Sequence, residues 1–328
     1  MNLILDTFGT SLVKKDEMFV VLHKDGKQQI ATHQVRTISL SKGARISSDA
    51  ILMAIENEID ILFVNSYGHP QGRVWSQRYG SIANIRKNQV FFGRSPQAVS
   101  WMKEIIIRKL DNQTALVCTL LTGDNEQKRI KTECISQLEK IKAKLEELEA
   151  DILAKIGDTI RGLEGSASRY YFKCLASLLP EKYRFEKRSQ HPAKDMFNSL
   201  LNYAYGMLYA KVEGALIRTG IDPYLGIFHR NEYNRPVMVY DCIEPYRVWA
   251  EQVVVNLCLQ LVMEKEFFSI NERGDYWLAS EGKRILIQSM NDYLEEVVGI
   301  NGKSRSRNVH LELDCQALAQ RFKNAGPA

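Results

Sequence analysis

The chain has 328 residues, and 44 Lys plus Arg against 39 Asp plus Glu give a formal net charge of +5. Apolar residues at 45% and charged residues at 25% exclude a largely disordered or fibrous chain, and the length suits two domains. So mild a positive charge permits a polyanionic partner without demanding one, because patches rather than totals bind nucleic acid.

Met1 to Thr10 lack the basic and apolar regions of a secretory signal. The longest apolar stretch, Val253 to Met263, is far shorter than the roughly 20 residues that span a bilayer. A cytoplasmic protein with no membrane partner is expected. Cys118, Cys134, Cys174, Cys242, Cys258 and Cys315 include no CxxC pair. That argues against zinc or redox chemistry and fits small apolar residues in a reducing compartment.

Up to residue 75 the chain reads as β-rich. Leu3 to Asp6 is a short apolar run. Met18 to His23 and Gln28 to Thr32 flank a Lys24-Asp25-Gly26-Lys27 turn and predict a hairpin. Val35 to Leu40 alternates like a half-buried strand. Ser47-Ser48-Asp49 caps a helix through Ile51, Leu52, Ile55 and Ile59. Ile61 to Val64 predicts a buried strand, Gly68 to Gly72 a turn, and Arg73 to Trp75 renewed extension.

From about Ser81 the pattern is helical. Ile130, Cys134, Leu138, Ile141, Leu145, Leu148 and Ile152 step by three or four, which predicts one long amphipathic helix from Glu126 to Gly162. The charged stretch between Pro180 and Pro192 reads as a loop. Asn198 to Arg218 reads as a helix ended by Gly220, and the basic stretch Gly302 to Asn308 as mobile.

Three segments could carry chemistry. Glu164 lies between Gly162 and Gly165, small residues that leave room for a ligand at the expected helix end. His229 closes the stretch from Gly220 and precedes Arg230. The apolar run Val237 to Tyr240 looks β-like and leads to Asp241 and Glu244, at the mouth of a helix expected from Pro245 to Met263. Each has a bland alternative: a surface acid, a satisfied boundary histidine, or acids suited to a helix N-terminus. Together, two glutamates and a histidine suit Mg²⁺ or Mn²⁺ better than zinc and point to phosphoryl transfer.

The same segments resemble the CRISPR-associated protein 1 family, the integrase of CRISPR spacer acquisition. Its E-G-x-x-x-R-x-Y-F motif reads Glu164 to Phe172 here, and its N-x-L-L-N-x-x-Y-x-L-L helix reads Asn198 to Leu208. A G-x-D-P-x-x-G-x-x-H stretch follows from Gly220 to His229, and D-L-x-E-P-[FY]-R from Asp241 to Arg247. Cys242 replaces the usual leucine, and Met196 stands where many members have proline.

The resemblance implies an α+β chain: a small N-terminal β-sandwich-like domain over residues 1–93, serving dimerisation and partner contact, then a larger all-α catalytic domain over 94–328. It implies Glu164, His229 and Glu244 as catalytic metal ligands, with Asp241 a weaker fourth. It also implies homodimers that clamp a dimer of CRISPR-associated protein 2. The substrates would be double-stranded DNA, as spacer precursor and as CRISPR repeat. Phosphate contacts are expected from Arg169 and Arg247 inside the motifs, and from Arg86, Arg184, Lys187, Arg188, Arg230 and Arg235, with Arg73 and Lys87 as further candidates. Tyr170, Tyr171, Tyr203 and Tyr205 read as core aromatics before base-stacking ones. A stand-alone nuclease and a non-catalytic DNA-binding subunit are the competing readings.

Overall fold

A computed structural model describes residues 1–24, 26–65, 68, 70–74, 83–190, 192–229 and 235–325. Eight strands open the chain: β1 (Asn2–Leu5), β2 (Ser11–Lys15), β3 (Met18–His23), β4 (Gly26–Ala31), β5 (Thr37–Leu40), β6 (Arg45–Ile46), β7 (Asp60–Val64) and β8 (Pro70–Val74). Helix α1 (Ser48–Glu56) separates β6 from β7, and the Ser47 hydroxyl accepts from the Ala50 amide as its cap. One sheet runs β1-β5-β7-β8 and the other β4-β3-β2-β6. Leu12, Phe19, Ile38, Met53 and Ile61 share the apolar core that these elements enclose. In the first sheet β5 lies between parallel neighbours β1 and β7. A central parallel strand is covered on both faces, which is why Thr37 is buried along with Ile38 and Leu40. The hairpin turn expected at Lys24 to Lys27 includes Asp25, and the renewed extension includes Trp75; both residues lie outside the described ones.

The remainder is mostly helical: α2 (Ala83–Phe92), α3 (Pro96–Thr119), α4 (Asn125–Glu147), α5 (Gly157–Leu178), α6 (Met196–Thr219), α7 (Val237–Ile243) and α8 (Arg247–Leu259). Two ribbons interrupt the later part. The first pairs β9 (Phe268–Ile270) with β10 (Tyr276–Leu278); helix α9 (Ser280–Glu295) follows it. The second pairs β11 (Val297–Ile300) with β12 (Lys303–Ser306) and leads into α10 (Arg307–Lys323). Helix α2 packs on α10, and Phe92 belongs to the helical core beside Phe322. The architecture is α+β, with strands first and helices after.

Four local expectations need correcting. The predicted helix from Glu126 to Gly162 is two helices, because α5 folds back along α4 and gives its apolar face a partner. The turn between them leaves Ile152 extended and puts Glu164 inside α5 rather than at a helix end. Val237 to Ile243 is helical, not β-like; it is buried on nearly every side, and in so short an apolar run neither period can show. The helix expected from Pro245 to Met263 is shorter, spanning Arg247–Leu259 after a single 3-10 turn over Glu244–Tyr246. The stretch read as mobile is ordered: Asn301 (φ 50°) and Gly302 (φ 74°) make the tight turn of the β11–β12 hairpin, and Arg307 opens α10.

Candidate active site

Four elements bring the chemistry together. Glu164 stands in the second turn of α5, and the space beside Gly162 and Gly165 is open. Glu244 begins the 3-10 turn between α7 and α8. The Asn112 amide of α3 donates to the Pro245 carbonyl at 2.8 Å and ties that turn down. His229 ends the segment that follows α6. The segment folds tightly against α7: a Cβ on Gly226 would sit 2.9 Å from Val237 Cγ2 and 3.0 Å from the His229 carbonyl.

Asp241, fully buried on α7, organises that segment. Its Oδ2 accepts from the Ile227 and Phe228 amides at 2.6 and 3.0 Å. Its Oδ1 accepts from the His229 amide at 2.9 Å and meets His229 Nδ1 at 2.6 Å. A carboxylate partner requires Nδ1 to carry the proton, so Nε2 is left as the free donor atom of the ring. Burial opposes charge on His229, yet the Asp241 hydrogen bond and charge outweigh it and raise its pKa.

Glu164, His229 and Glu244 line one cavity of about 450 Å³. Lys109, from the buried face of α3, lines it too. The Lys109 ammonium bonds Glu164 Oε1 and, at 2.6 Å, Glu244 Oε2. Arg247 Nε donates to the other Glu244 oxygen at 2.9 Å, and its guanidinium also donates to the Tyr209 hydroxyl. Burial would raise the Glu244 pKa, but Arg247 and Lys109 overwhelm that and bring it down to about 2. Burial likewise opposes the Lys109 charge, and the two glutamates more than restore it. Among the described residues, no three His, Cys, Asp or Glu side chains are already grouped to hold a metal ion. Two carboxylates nevertheless share one cation here, with an imidazole nitrogen on the same cavity. That donor chemistry fits a hard divalent ion such as Mg²⁺ or Mn²⁺.

The predicted basic residues divide. Arg169, Lys187, Arg188 and Arg247 line the cavity. Arg86, Lys87, Arg184 and Arg235 are not among its described lining residues, and Arg230 lies outside the described residues. Arg73 is engaged elsewhere, paired to Asp60 at 3.2 Å and Glu213 at 3.0 Å. Tyr171, Tyr203 and Tyr205 are core residues, and Tyr170 packs partly buried against the core. The Tyr171 and Tyr205 hydroxyls donate to the two oxygens of buried Glu251 at 2.5 and 2.6 Å. The asparagines of the α6 motif hold the 187–190 loop at the cavity wall. Asn198 donates to the Lys187 carbonyl and Asn202 to the Ser189 carbonyl, at 3.0 and 3.1 Å.

Lys109, Gln113 and Glu251 are among the cavity residues that motif reading missed. A signal existed: Met102, Ile106, Lys109, Gln113, Leu116 and Val117 share the buried face of α3, and two of them are polar. A charge on an apolar stripe needs a buried partner.

Comparison with known proteins places the family and the fold. The family model for CRISPR associated protein Cas1 matches residues 3–292. A relative from Archaeoglobus fulgidus, named CRISPR-associated endonuclease Cas1 1, is 29% identical over 319 residues, covering 93% of this chain and 91% of its own. Among solved structures, a casposase bound to integration product superposes with a TM-score of 0.84 at 18% identity, covering 100% of this chain and 92% of that one. A chain of a Cas6-RT-Cas1–Cas2 complex gives 0.79 at 22% identity, covering 98% of this chain and 35% of that one. Those structural likenesses establish the fold, and the family model, spanning most of the sequence including every proposed ligand, establishes that the chain belongs to the CRISPR associated protein Cas1 family.

Proposed function

We propose that the protein is a divalent-metal-dependent DNA integrase and endonuclease that inserts short DNA fragments into a CRISPR array, as part of antiviral defence. The observation that carries this reading is the convergence of Glu164, His229 and Glu244 on one cavity, with both carboxylates facing a single cation. The name of the Archaeoglobus relative and the integration product held by the casposase support it.

Glu164, Glu244 and His229 Nε2 would hold the ion. Mg²⁺ or Mn²⁺ bound there supplies Lewis acidity, lowering the cost of an ionised hydroxyl and of charge building on phosphorus. Asp241 has both oxygens engaged by the 227–229 backbone and the His229 ring, so its role is to orient His229. Arg169 and Lys187, exposed at the cavity, hold DNA phosphates without reading bases. The fragment's 3′-oxygen forms the new bond to phosphorus as the 3′-oxygen of the repeat leaves. One phosphodiester replaces another, and no ATP is needed. Water in place of the hydroxyl gives nicking. The partners are a second copy of this chain and a dimer of CRISPR-associated protein 2, a reading supported by the Cas6-RT-Cas1–Cas2 likeness.

The test supplies short duplex donors and a supercoiled repeat-bearing target, with and without the small partner, in Mg²⁺ and in Mn²⁺. Joined products are expected with wild type. Glu244→Ala should lose them, by roughly a hundredfold or more, while duplex binding persists. Nicks without joined products would favour a stand-alone nuclease. Full activity of Glu244→Ala would remove the assignment.

A further inference from the structure

Glu244 is saturated in an unexpected way. One of its oxygens faces the Lys109 ammonium and the other faces Arg247, while Glu164 accepts from Lys109 and, at 3.1 Å, from the Ser168 hydroxyl. Two glutamates are thereby balanced by two protein cations. A buried ion pair of this kind is a poor source of stability, because desolvation cancels much of the attraction. Its position is what stands out. The Lys109 ammonium occupies the point between the two carboxylates to which the proposed function assigns the divalent ion. Metal–carboxylate distances are about 2.1 Å for Mg²⁺, so an ion and the ammonium placed there together would lie within about 3 Å and repel strongly.

A second feature lies one helical turn away. Gln113 follows Lys109 by four residues on the same face of α3 and lines the same cavity. It is only 1% exposed, yet its side-chain carbonyl Oε1 has no hydrogen-bond partner among the described residues. An unpaired buried acceptor is costly and uncommon. Side chains four residues apart are neighbours on a helix surface, which puts this acceptor beside Lys109.

Building on the metal-site reading, we infer that Lys109 is a resident stand-in for the ion: it holds Glu164 and Glu244 together in the metal-free protein and swings to the Gln113 carbonyl when the divalent ion binds. Lys109 thus competes with the ion and sets its affinity, and Gln113 lowers the cost of the exchange. The arrangement keeps two acids close together without their mutual repulsion opening the site.

Calorimetric titration of Mn²⁺ into the full-length protein, with no DNA present, tests this. The variants are Lys109→Met, Gln113→Leu and the double variant; Lys109→Gln, which keeps hydrogen-bond donors without the charge, serves if Lys109→Met fails to fold. Removing the lysine should tighten Mn²⁺ binding by roughly tenfold or more and enlarge the Mn²⁺-induced rise in melting temperature. Gln113→Leu should weaken binding about three- to tenfold in the Lys109 background and have no effect once Lys109 is gone. Unchanged or weaker Mn²⁺ binding in both lysine variants would overturn the inference, as would a Gln113→Leu penalty that persists without Lys109. Glu164→Gln separates the two readings: if Mn²⁺ binds that variant as it binds wild type, the metal site itself is misplaced.

Discussion

Asp241 and Glu244 show how much one turn of backbone decides. They are three residues apart and look like a pair of acids at a helix mouth. Asp241 turns into the protein, where it gathers three backbone amides and the His229 ring. Glu244 turns toward the cavity and its cations. Asp241→Asn keeps the shape but turns one acceptor atom into a donor. It should cost about 1–3 kcal/mol in urea unfolding, because the amides that face that atom lose their partner. It should also lower metal affinity through the loosened imidazole, by the roughly tenfold or more expected when a ligand loses its supporting carboxylate. A variant as stable as wild type would show that Asp241 does not organise the 227–229 segment. Lys109 was illegible to motif reading for the opposite reason. A lone lysine in a helix carries no motif, and its meaning comes from the acids that tertiary packing sets against it.

At the scale of elements, α6 carries the clearest local logic. Asp195 caps it by accepting from the Asn198 amide at 2.7 Å, and Gly220 ends it at φ 83°. Its first turns also hold the cavity wall. Asn198, fully buried, accepts from Arg188 and from the Ser189 amide and donates to the Lys187 carbonyl. Asn198→Ala should therefore cost about 1–3 kcal/mol, since it strands several buried partners at once. Limited proteolysis should cut near residues 184–190 faster in that variant, while helicity by circular dichroism stays near wild type. Unchanged cleavage would mean the loop is held by something else. The contrast with α7 is instructive. Amphipathic helices announce themselves by period, whereas a seven-residue run buried all round has no polar face to mark one.

At the scale of the molecule, a polar seam joins the strands to the helices. Asp60 of β7 accepts from Arg218 of α6, which also pairs with Glu312 of α10 at 2.7 Å. Gly214 leaves room for this cluster: a Cβ there would lie 2.8 Å from Asp60 Oδ2. Beside it Lys211 donates to Asn2 of β1 and Thr37 of β5 at 2.6 and 3.2 Å. Burial pushes the Lys211 pKa down from 10.5 to about 8, with Asp60 only partly opposing it. The folded chain then releases this proton above about pH 8, while the unfolded chain holds it to 10.5. Its contribution to stability is lowest below pH 8 and rises through that window. Against Lys211→Met, wild type should gain up to about 3 kcal/mol between pH 8 and 10.5 in urea unfolding. A difference flat with pH would mean the amine stays charged. No described helix is long and apolar enough to cross a membrane. The sequence by itself determined that a strand-rich segment precedes a mostly helical one, and it marked Glu164, His229 and Glu244 as candidate site residues, because local periodicity, capping residues and motif residues are written along the chain. Only the tertiary structure decided where a long apolar stripe breaks into a helical pair, that Asn301-Gly302 closes a hairpin, and that Lys109 stands between two acids far away in sequence. Those outcomes depend on which surfaces meet, and burial sets the energy of a charge only once its neighbours are in place.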